Sequence, residues 1–218
     1  MKRLDYRLDG ALFKSAFPDK RISDRDELLL ILMETLRYIK YANQLDINDR
    51  HTPRLVVYID DMQRLFFFND NKYYSLAIPF SIIVNNDELI YKFNGIEVDS
   101  LILSNIIQLL KEGICKYDKA FDFFGSVYEI EETNPAIWYI FKHLLIYDMG
   151  YIRYEHDRDG HLEAIRRGTP HRHPLHHIDI NISNEATFKE GLNEKLQNDD
   201  FIRLLDNKQD RSYITQDY

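Results

Sequence analysis

Histidines are concentrated in one short stretch of the chain. The protein has 8 histidines, and those between positions 156 and 177 are His156, His161, His171, His173, His176 and His177. An even distribution would place about one histidine in a window of that length. Histidine exchanges protons near neutral pH and is the commonest metal ligand in proteins. This stretch, which we call the histidine segment, is therefore predicted to carry acid–base or metal chemistry.

Arginines accompany these histidines although the protein as a whole is acidic. The chain has 28 Lys and Arg residues against 36 Asp and Glu residues, which gives a net charge of −8. This balance excludes a protein that is basic overall and coats nucleic acid, but it permits a local basic strip. We expect Arg166, Arg167 and Arg172 to bind an anionic substrate there, with Tyr154 assisting.

Strand geometry restricts which of these side chains can meet. Successive side chains on a strand alternate between the two faces, and each residue advances the chain by about 3.3 Å. His171 and His173 would share one face. His177 and Asp179 would also share a face, but His173 and His177 would lie about 13 Å apart on a straight strand. Two prolines, at positions 170 and 174, are expected to bend the chain, so that a loop carrying the first pair folds back onto the second.

Two chemical interpretations of the segment are open. In the first, two imidazoles act as general acid and general base on a phosphodiester, and arginines neutralise the phosphate. RNA supplies its own 2′-hydroxyl nucleophile, so this chemistry needs no metal. In the second, one divalent transition-metal ion activates water. The candidate catalytic residues of the first interpretation and the candidate metal ligands of the second are the same: His171, His173, His177 and Asp179.

A third interpretation is structural, in which the histidines pair with acidic side chains or cap strands. His176 would face the apolar side of its strand and is expected to be a hydrogen-bonded core histidine. The cofactor is accordingly expected to be none or one divalent transition metal.

From the first interpretation we predict a ribonuclease-like hydrolase that acts on RNA or on a nucleotide. Small bacterial proteins with a C-terminal strand group rich in His and Arg are often nucleases of toxin–antitoxin or antiphage defence systems. By this analogy we also predict that the protein is an effector of such a system. The alternatives are a non-catalytic scaffold subunit that binds a protein partner, and a metal-binding module.

The elements that position the segment are those of an α+β protein with antiparallel strands. Leucines at helical spacing predict an amphipathic N-terminal helix that begins near Ser23. Short apolar runs between Leu55 and Phe93, separated by Asn- and Asp-rich turns, predict an antiparallel meander, with an edge or a break at Pro79. Two further helices are predicted, one ending near Gly113 and one beginning at Pro135.

The C-terminal half is predicted to contain a second group of strands. Tyr151–His156 and His161–Ile165 are expected to form a hairpin, and Pro174–Ile182 a third strand. Phe121–Ile130 is expected to be another strand, and Asp199–Leu205 a short helix.

Length and composition set the limits of the whole chain. We interpret residues 1–218 as a single α+β domain, with a division into 1–115 (helix plus meander) and 134–206 (helix plus histidine-rich strands) as the alternative. The single Cys excludes a disulfide scaffold and a cysteine-based zinc finger. No apolar run approaches the roughly 20 residues that a bilayer requires, and no signal-peptide core follows Met1, so we expect a cytoplasmic protein without a membrane partner.

Overall fold

A computed structural model describes most of the chain, namely residues 2–8, 10–20, 22, 24–46, 52–59, 61–85, 88–113, 128–181 and 187–210. In this part of the chain the dominant element is a large antiparallel sheet, and helices pack against it. The fold class is therefore α+β, as the sequence predicts.

The strands divide between a large and a small sheet. In chain order they are Lys2–Arg7 (β1), Arg54–Ile59 (β2), Arg64–Asn69 (β3), Lys72–Ala77 (β4), Ser81–Asn85 (β5), Glu88–Phe93 (β6), Ile96–Glu97 (β7), Ile152–His156 (β8), His176–Asn181 (β9) and Thr187–Leu192 (β10). The larger sheet, which we call the central sheet, has the order β1-β2-β3-β4-β8-β9-β10, and β5, β6 and β7 form the smaller one. All neighbouring strands of the central sheet are antiparallel.

The helices follow the local signals of the sequence in most places. Those whose bounds lie within the described residues are Gly10–Ala16 (α1), Arg25–Ile39 (α2), Ser100–Lys111 (α3), Pro135–Leu144 (α4), Arg158–Arg166 (α5) and Asn198–Leu205 (α6), together with a 3-10 turn at Pro170–Arg172. Asn134 caps α4, because its side chain accepts a hydrogen bond from the backbone N–H of Ala136. Gly113 follows α3 with a φ of 74°, the left-handed conformation that glycine adopts most readily.

Two apolar layers cover the two faces of the central sheet. The larger layer joins α2, α3 and α4 to one face, where Leu55, Phe67 and Tyr74 point inward. The smaller layer joins α6 to the other face, where Phe66 and Tyr154 point inward. Neighbouring residues of one strand thus enter opposite layers, which is the two-residue period of an extended chain. This alternation decides which side of the sheet each histidine occupies.

Several predicted elements are confirmed by the structure. The meander strands, the break at Pro79, β8, β9 and α6 all lie where the sequence places them. The helix predicted near Ser23 corresponds to α2, but α1 and β1 precede it and were not predicted, and β10 was also missed. Strands from both halves of the proposed division, β4 and β8, are hydrogen-bonded neighbours in the central sheet.

The strand predicted over His161–Ile165 is wrong. These residues belong to α5, because Asp157 acts as a helix cap: its side chain accepts a hydrogen bond from the backbone N–H of Gly160 at 2.9 Å. The residue types of Asp157–Gly160 predict a hairpin turn, but a capped helix begins with the same residue types. Of the strand predicted over Phe121–Ile130, residues 121–127 lie outside the described residues, and residues 128–133 are helical.

Candidate acid–base site

The register of β8 and β9 assembles a group of charged side chains on one face of the central sheet. Glu155 lies opposite His177, and Arg153 lies opposite Asp179. On the next strand, Lys189 lies opposite Asp179. All five residues share the face that carries the larger apolar layer, since Arg153 is also opposite Tyr74 of β4. We call Arg153, Glu155, His177, Asp179 and Lys189 the buried cluster.

Within this cluster the carboxylates are already matched by cations. One guanidinium nitrogen of Arg153, Nη2, donates to Oδ2 of Asp179 and also lies 3.1 Å from Oε2 of Glu155. Lys189 Nζ lies 2.9 Å from Oδ1 of Asp179. Lys72 of β4 adds a contact of 3.4 Å between its Nζ and Oε1 of Glu155.

These cations determine the protonation of both acids. Burial alone would raise the pKa of Asp179, but Lys189 and Arg153 outweigh it and hold that pKa below its usual value. Burial would likewise raise the pKa of Glu155, but His177, Arg153 and Lys72 together keep it below its usual value. Both carboxylates are therefore ionised at neutral pH.

His177 is completely buried, and one of its ring nitrogens has no hydrogen-bond partner in the part of the chain that the structure describes. Its Nδ1 lies 2.9 Å from the carbonyl oxygen of Pro174, which can only accept a hydrogen bond, so Nδ1 carries a proton. Its Nε2 lies 3.8 Å from Oε2 of Glu155 and 3.9 Å from Oδ2 of Asp179. Both distances exceed a hydrogen bond, and Nε2 has no partner among the described residues. A buried ring nitrogen thus faces two carboxylates.

The donor atoms of Glu155, His177 and Asp179 could in principle hold a metal ion. They all lie within 4.8 Å of one another, and one nitrogen with two oxygens suits a borderline transition metal. However, Arg153 already contacts the same two carboxylate oxygens that face His177. A divalent ion would have to displace the guanidinium or share the space with it, at the cost of strong charge repulsion. The electrostatics of the cluster therefore disfavour metal binding.

A second pair, Asp157 and His173, lies beside the cluster and is open to solvent. Nε2 of His173 lies 2.8 Å from Oδ2 of Asp157, and the His173 side chain is 31% exposed. Its ring packs edge-on against His177, with ring centroids 5.0 Å apart. The other carboxylate oxygen of Asp157 is held by the helix cap, by its hydrogen bond from Gly160. We call Asp157 and His173 the dyad.

The electrostatics of the dyad keep its acid charged. Partial burial would raise the pKa of Asp157, but the hydrogen bond from the Gly160 backbone and the contact with His173 leave that pKa below its usual value. A charged carboxylate orients the imidazole and stabilises the imidazolium that forms when the ring takes up a proton.

The connection between β8 and β9 folds back over the cluster, as the two prolines predict. The backbone N–H of Asp157 donates to the carbonyl of Leu175, which closes the connection at its base. His161 of α5 contacts the carbonyl oxygen of His173 through Nδ1 at 2.7 Å. Pro174 packs on Gly191, where an added Cβ would lie only 2.8 Å from the proline Cγ. The predicted approach of His173 to His177 therefore occurs through this fold-back.

The remaining predicted site residues lie elsewhere. His171 and Arg172 are exposed on the 3-10 turn. Arg166 and Arg167 are exposed near the C-terminal end of α5, where both contact Glu163. Thus His173, His177 and Asp179 are brought together, whereas His171 and the pair of arginines on α5 are not part of that group.

Tyr154 lies on the opposite face of the sheet from the cluster. It is fully buried, stacks on Tyr73 at 4.9 Å between ring centroids, and its hydroxyl contacts Nδ1 of His176 at 2.9 Å. The predicted hydrogen bond of His176 is therefore present, and burial together with the neighbouring His156 lowers the pKa of His176. The substrate-binding role of Tyr154 remains a prediction that its burial does not favour.

Sequence reasoning missed several members of the site, for identifiable reasons. Arg153 and Glu155 alternate along a strand that was predicted, so the two-residue period could have placed them beside His177. Asp157 could have been found as a helix cap, but it was assigned to a turn. Lys189 lies on β10, which carries no clear strand signal, and it could not have been found.

An open cleft of about 710 Å³ lies away from the cluster, near one end of β1 to β4. Arg3 and Arg54 line it, and both are within 4 Å of the buried carboxylate of Asp5. Tyr73 and Phe68 form part of its wall but are buried, and burial raises the pKa of Tyr73 to about 12. The cleft contains none of the predicted site residues.

Comparison of the chain with protein-family models, with curated proteins and with solved structures gives no match. Among the helices of the described residues, none is long and apolar enough to cross a membrane.

Proposed function

We propose that the protein is a hydrolase that cleaves a phosphodiester by metal-free acid–base catalysis, with RNA as the substrate class. The observation that carries this proposal is the dyad: a solvent-accessible imidazole held by a charged carboxylate, which is itself fixed by a helix cap. This arrangement is typical of a general base, because the carboxylate fixes the ring and stabilises its protonated form.

The reaction assigns a separate role to each nitrogen of His173. Nε2 is engaged by Asp157, so Nδ1 is the nitrogen that takes the proton from the ribose 2′-hydroxyl. The 2′-oxygen then attacks phosphorus, the bond to the 5′-oxygen breaks, and a 2′,3′-cyclic phosphate forms. Water opens this cyclic phosphate in a second step, which completes the hydrolysis. The departing 5′-oxygen takes up a proton, and the candidate donor is His161, whose Nδ1 contacts the carbonyl oxygen of His173.

The phosphate must be neutralised by the basic side chains around the dyad. Arg158 directly follows Asp157, Arg172 directly precedes His173, and both are exposed. These two positions suit phosphate binding better than Arg166 and Arg167, whose guanidinium groups are engaged with Glu163. The substrate-binding set predicted from the sequence is thus revised toward Arg158 and Arg172.

His177 cannot touch a substrate, because it is fully buried. We assign it a positioning role. Its Nδ1–H donates to the carbonyl of Pro174, the residue next to His173, and its ring packs at a steep angle against the His173 ring. The buried cluster would therefore keep the connection in place while the dyad reacts.

The test is cleavage of a single-stranded RNA by tag-free protein in EDTA. We expect His173→Asn to lower the rate by about 10²- to 10⁴-fold, the usual contribution of a general base. Asp157→Asn keeps a good helix-capping residue but removes the charge, so it should also lower the rate. The matched control is His171→Asn, which changes an exposed histidine two residues away and should leave the rate unchanged. Equal rates for the His173→Asn and His171→Asn variants would refute the proposal.

A metal-binding function is the second candidate, and it rests on Glu155, His177 and Asp179. It predicts cleavage that EDTA abolishes and that a transition metal restores. Activity that persists in EDTA would argue against it. The further predictions, a role in a toxin–antitoxin or antiphage system and a cytoplasmic location, remain predictions.

A further inference from the structure

Two histidines lie side by side on the face of the central sheet opposite the buried cluster. His156 at the end of β8 and His176 at the start of β9 are directly opposite in the register of the two strands. Their ring centroids are 4.6 Å apart and the rings are tilted by 31°. Both side chains are partly exposed. Cross-strand neighbours at this spacing interact directly.

Each ring is held at its Nδ1 by an oxygen atom. Nδ1 of His156 lies 3.3 Å from Oδ1 of Asn71, and Nδ1 of His176 lies 2.9 Å from the hydroxyl of Tyr154. An amide oxygen only accepts, so Nδ1 of His156 carries the proton and Nε2 bears the lone pair. Ligating histidines are commonly oriented in this way, by an oxygen that contacts the nitrogen not bound to metal.

We propose that His156 and His176 form a two-imidazole site for a borderline transition-metal ion such as Zn²⁺, Ni²⁺ or Cu²⁺. The imidazole ligands select this class of ion over Mg²⁺ and Ca²⁺, which prefer oxygen. Water completes the coordination, because the site is open on its solvent side. The site is independent of the dyad, which lies on the connection between the two strands.

A bound ion at this place would join β8 to β9. The pair of Glu155 and His177 is the next pair in the same register, on the other face. The ion would therefore clamp the two strands that carry the buried cluster and raise the unfolding temperature of the protein, since a ligand that binds only the folded state stabilises it.

The test is the thermal unfolding midpoint of tag-free protein with and without Zn²⁺ or Ni²⁺, together with calorimetric titration of the same ions at 25 °C. We expect a metal-dependent rise in the midpoint and one ion bound per chain. His156→Gln and His176→Gln should each abolish both effects. Asn71→Ala removes only the orienting oxygen and should weaken the affinity by about tenfold. Mg²⁺ at the same concentration should have no effect.

Matched variants separate this site from the buried cluster and from the dyad. Glu155→Gln removes a donor of the group on the opposite face, and His171→Asn removes an exposed histidine, so both should retain the metal-dependent rise. His156 lies at the end of a strand, so His156→Gln is expected to fold. Metal titration of this variant therefore tests the site even if another variant is unstable. Wild-type protein that binds no ion would overturn the proposal, as would binding lost in Glu155→Gln but kept in His156→Gln.

Discussion

Gly160 allows the dyad to form, and its replacement by alanine is a direct test of the dyad geometry. A Cβ at this position would lie 2.5 Å from Nε2 of His173 and 2.5 Å from Oδ2 of Asp157. Ordinary contacts between such atoms are about 3.5 Å, so one or both side chains must move by about 1 Å. The present separation of 2.8 Å between Nε2 and Oδ2 would then exceed a hydrogen bond.

The effect of Gly160→Ala on stability should be small because two contributions oppose each other. Breaking a partly exposed pair costs about 1 kcal/mol. Alanine in place of glycine near the start of α5 stabilises the helix by about 0.5–1 kcal/mol. The free energy of unfolding should therefore change by less than about 1 kcal/mol. The rate should fall by about 10²-fold, since a displacement of 1 Å in a catalytic group can cost that much.

Two measurements on the same protein samples check this expectation. Urea unfolding gives the change in the free energy of unfolding, and initial rates of RNA cleavage give the loss of activity. Leu162→Ala is the control, because Leu162 is an exposed residue of the same helix. A Gly160→Ala protein that is fully active would show that the dyad is not needed. A loss of more than about 3 kcal/mol of stability would show that the glycine serves the fold.

Three further predictions concern the buried cluster and its cover. Asp179→Asn leaves Arg153 with one carboxylate fewer, so we expect a loss of about 3 kcal/mol in urea unfolding at pH 7. The pKa values of Glu155 and Asp179 are lower in the folded protein than in the unfolded chain. The stability that these two carboxylates give to the folded protein is therefore complete above the unfolded values of 4.5 and 3.8, and it is lost as the pH falls through the folded values. Urea unfolding from pH 6 to pH 2 should show this decline, and it should be shallower in Asp179→Asn; an unchanged slope would contradict the assignment. Gly191→Ala places a Cβ 2.8 Å from Cγ of Pro174 and should displace the connection, which a raised rate of proteolysis between β8 and β9 would report.

The predictable part of the fold depends on local signals. The apolar stripe of α2, the Asn134 cap of α4 and the short apolar runs of the meander act within a few residues, and these helices and strands are found where they are predicted. β1 and β10 are edge strands of the central sheet, and their charged residues weaken the alternation that marks a strand. The positions of β1 and β10 are decided by pairing with strands that are distant in the sequence. A local sequence pattern carries no information about such pairing.

The site was predictable only in part for a related reason. His177 and Asp179 share a face by strand periodicity alone, and the prolines indicate that His173 folds back toward them. Asp157, the partner of His173, belongs to a helix cap that the sequence pattern presents as a turn. Lys189, the partner of Asp179, lies on β10, a strand that the sequence pattern does not predict. The charged partners were thus hidden by errors in secondary structure and not by any ambiguity in chemistry.

The histidine segment looks like one group in the sequence, but the sheet separates it into two. Because neighbouring residues of a strand point to opposite faces, His176 and His177 cannot take part in the same site. On one face, His177 is sealed under the connection, so among the paired histidines of that face only His173 can meet a substrate. The exposed imidazole of His173 can reach a substrate, and the buried imidazole of His177 keeps it in position. The pair thus combines access for the substrate with a rigid site. The enrichment of histidine therefore reflects two separate groups of histidines, one on each face of the same pair of strands.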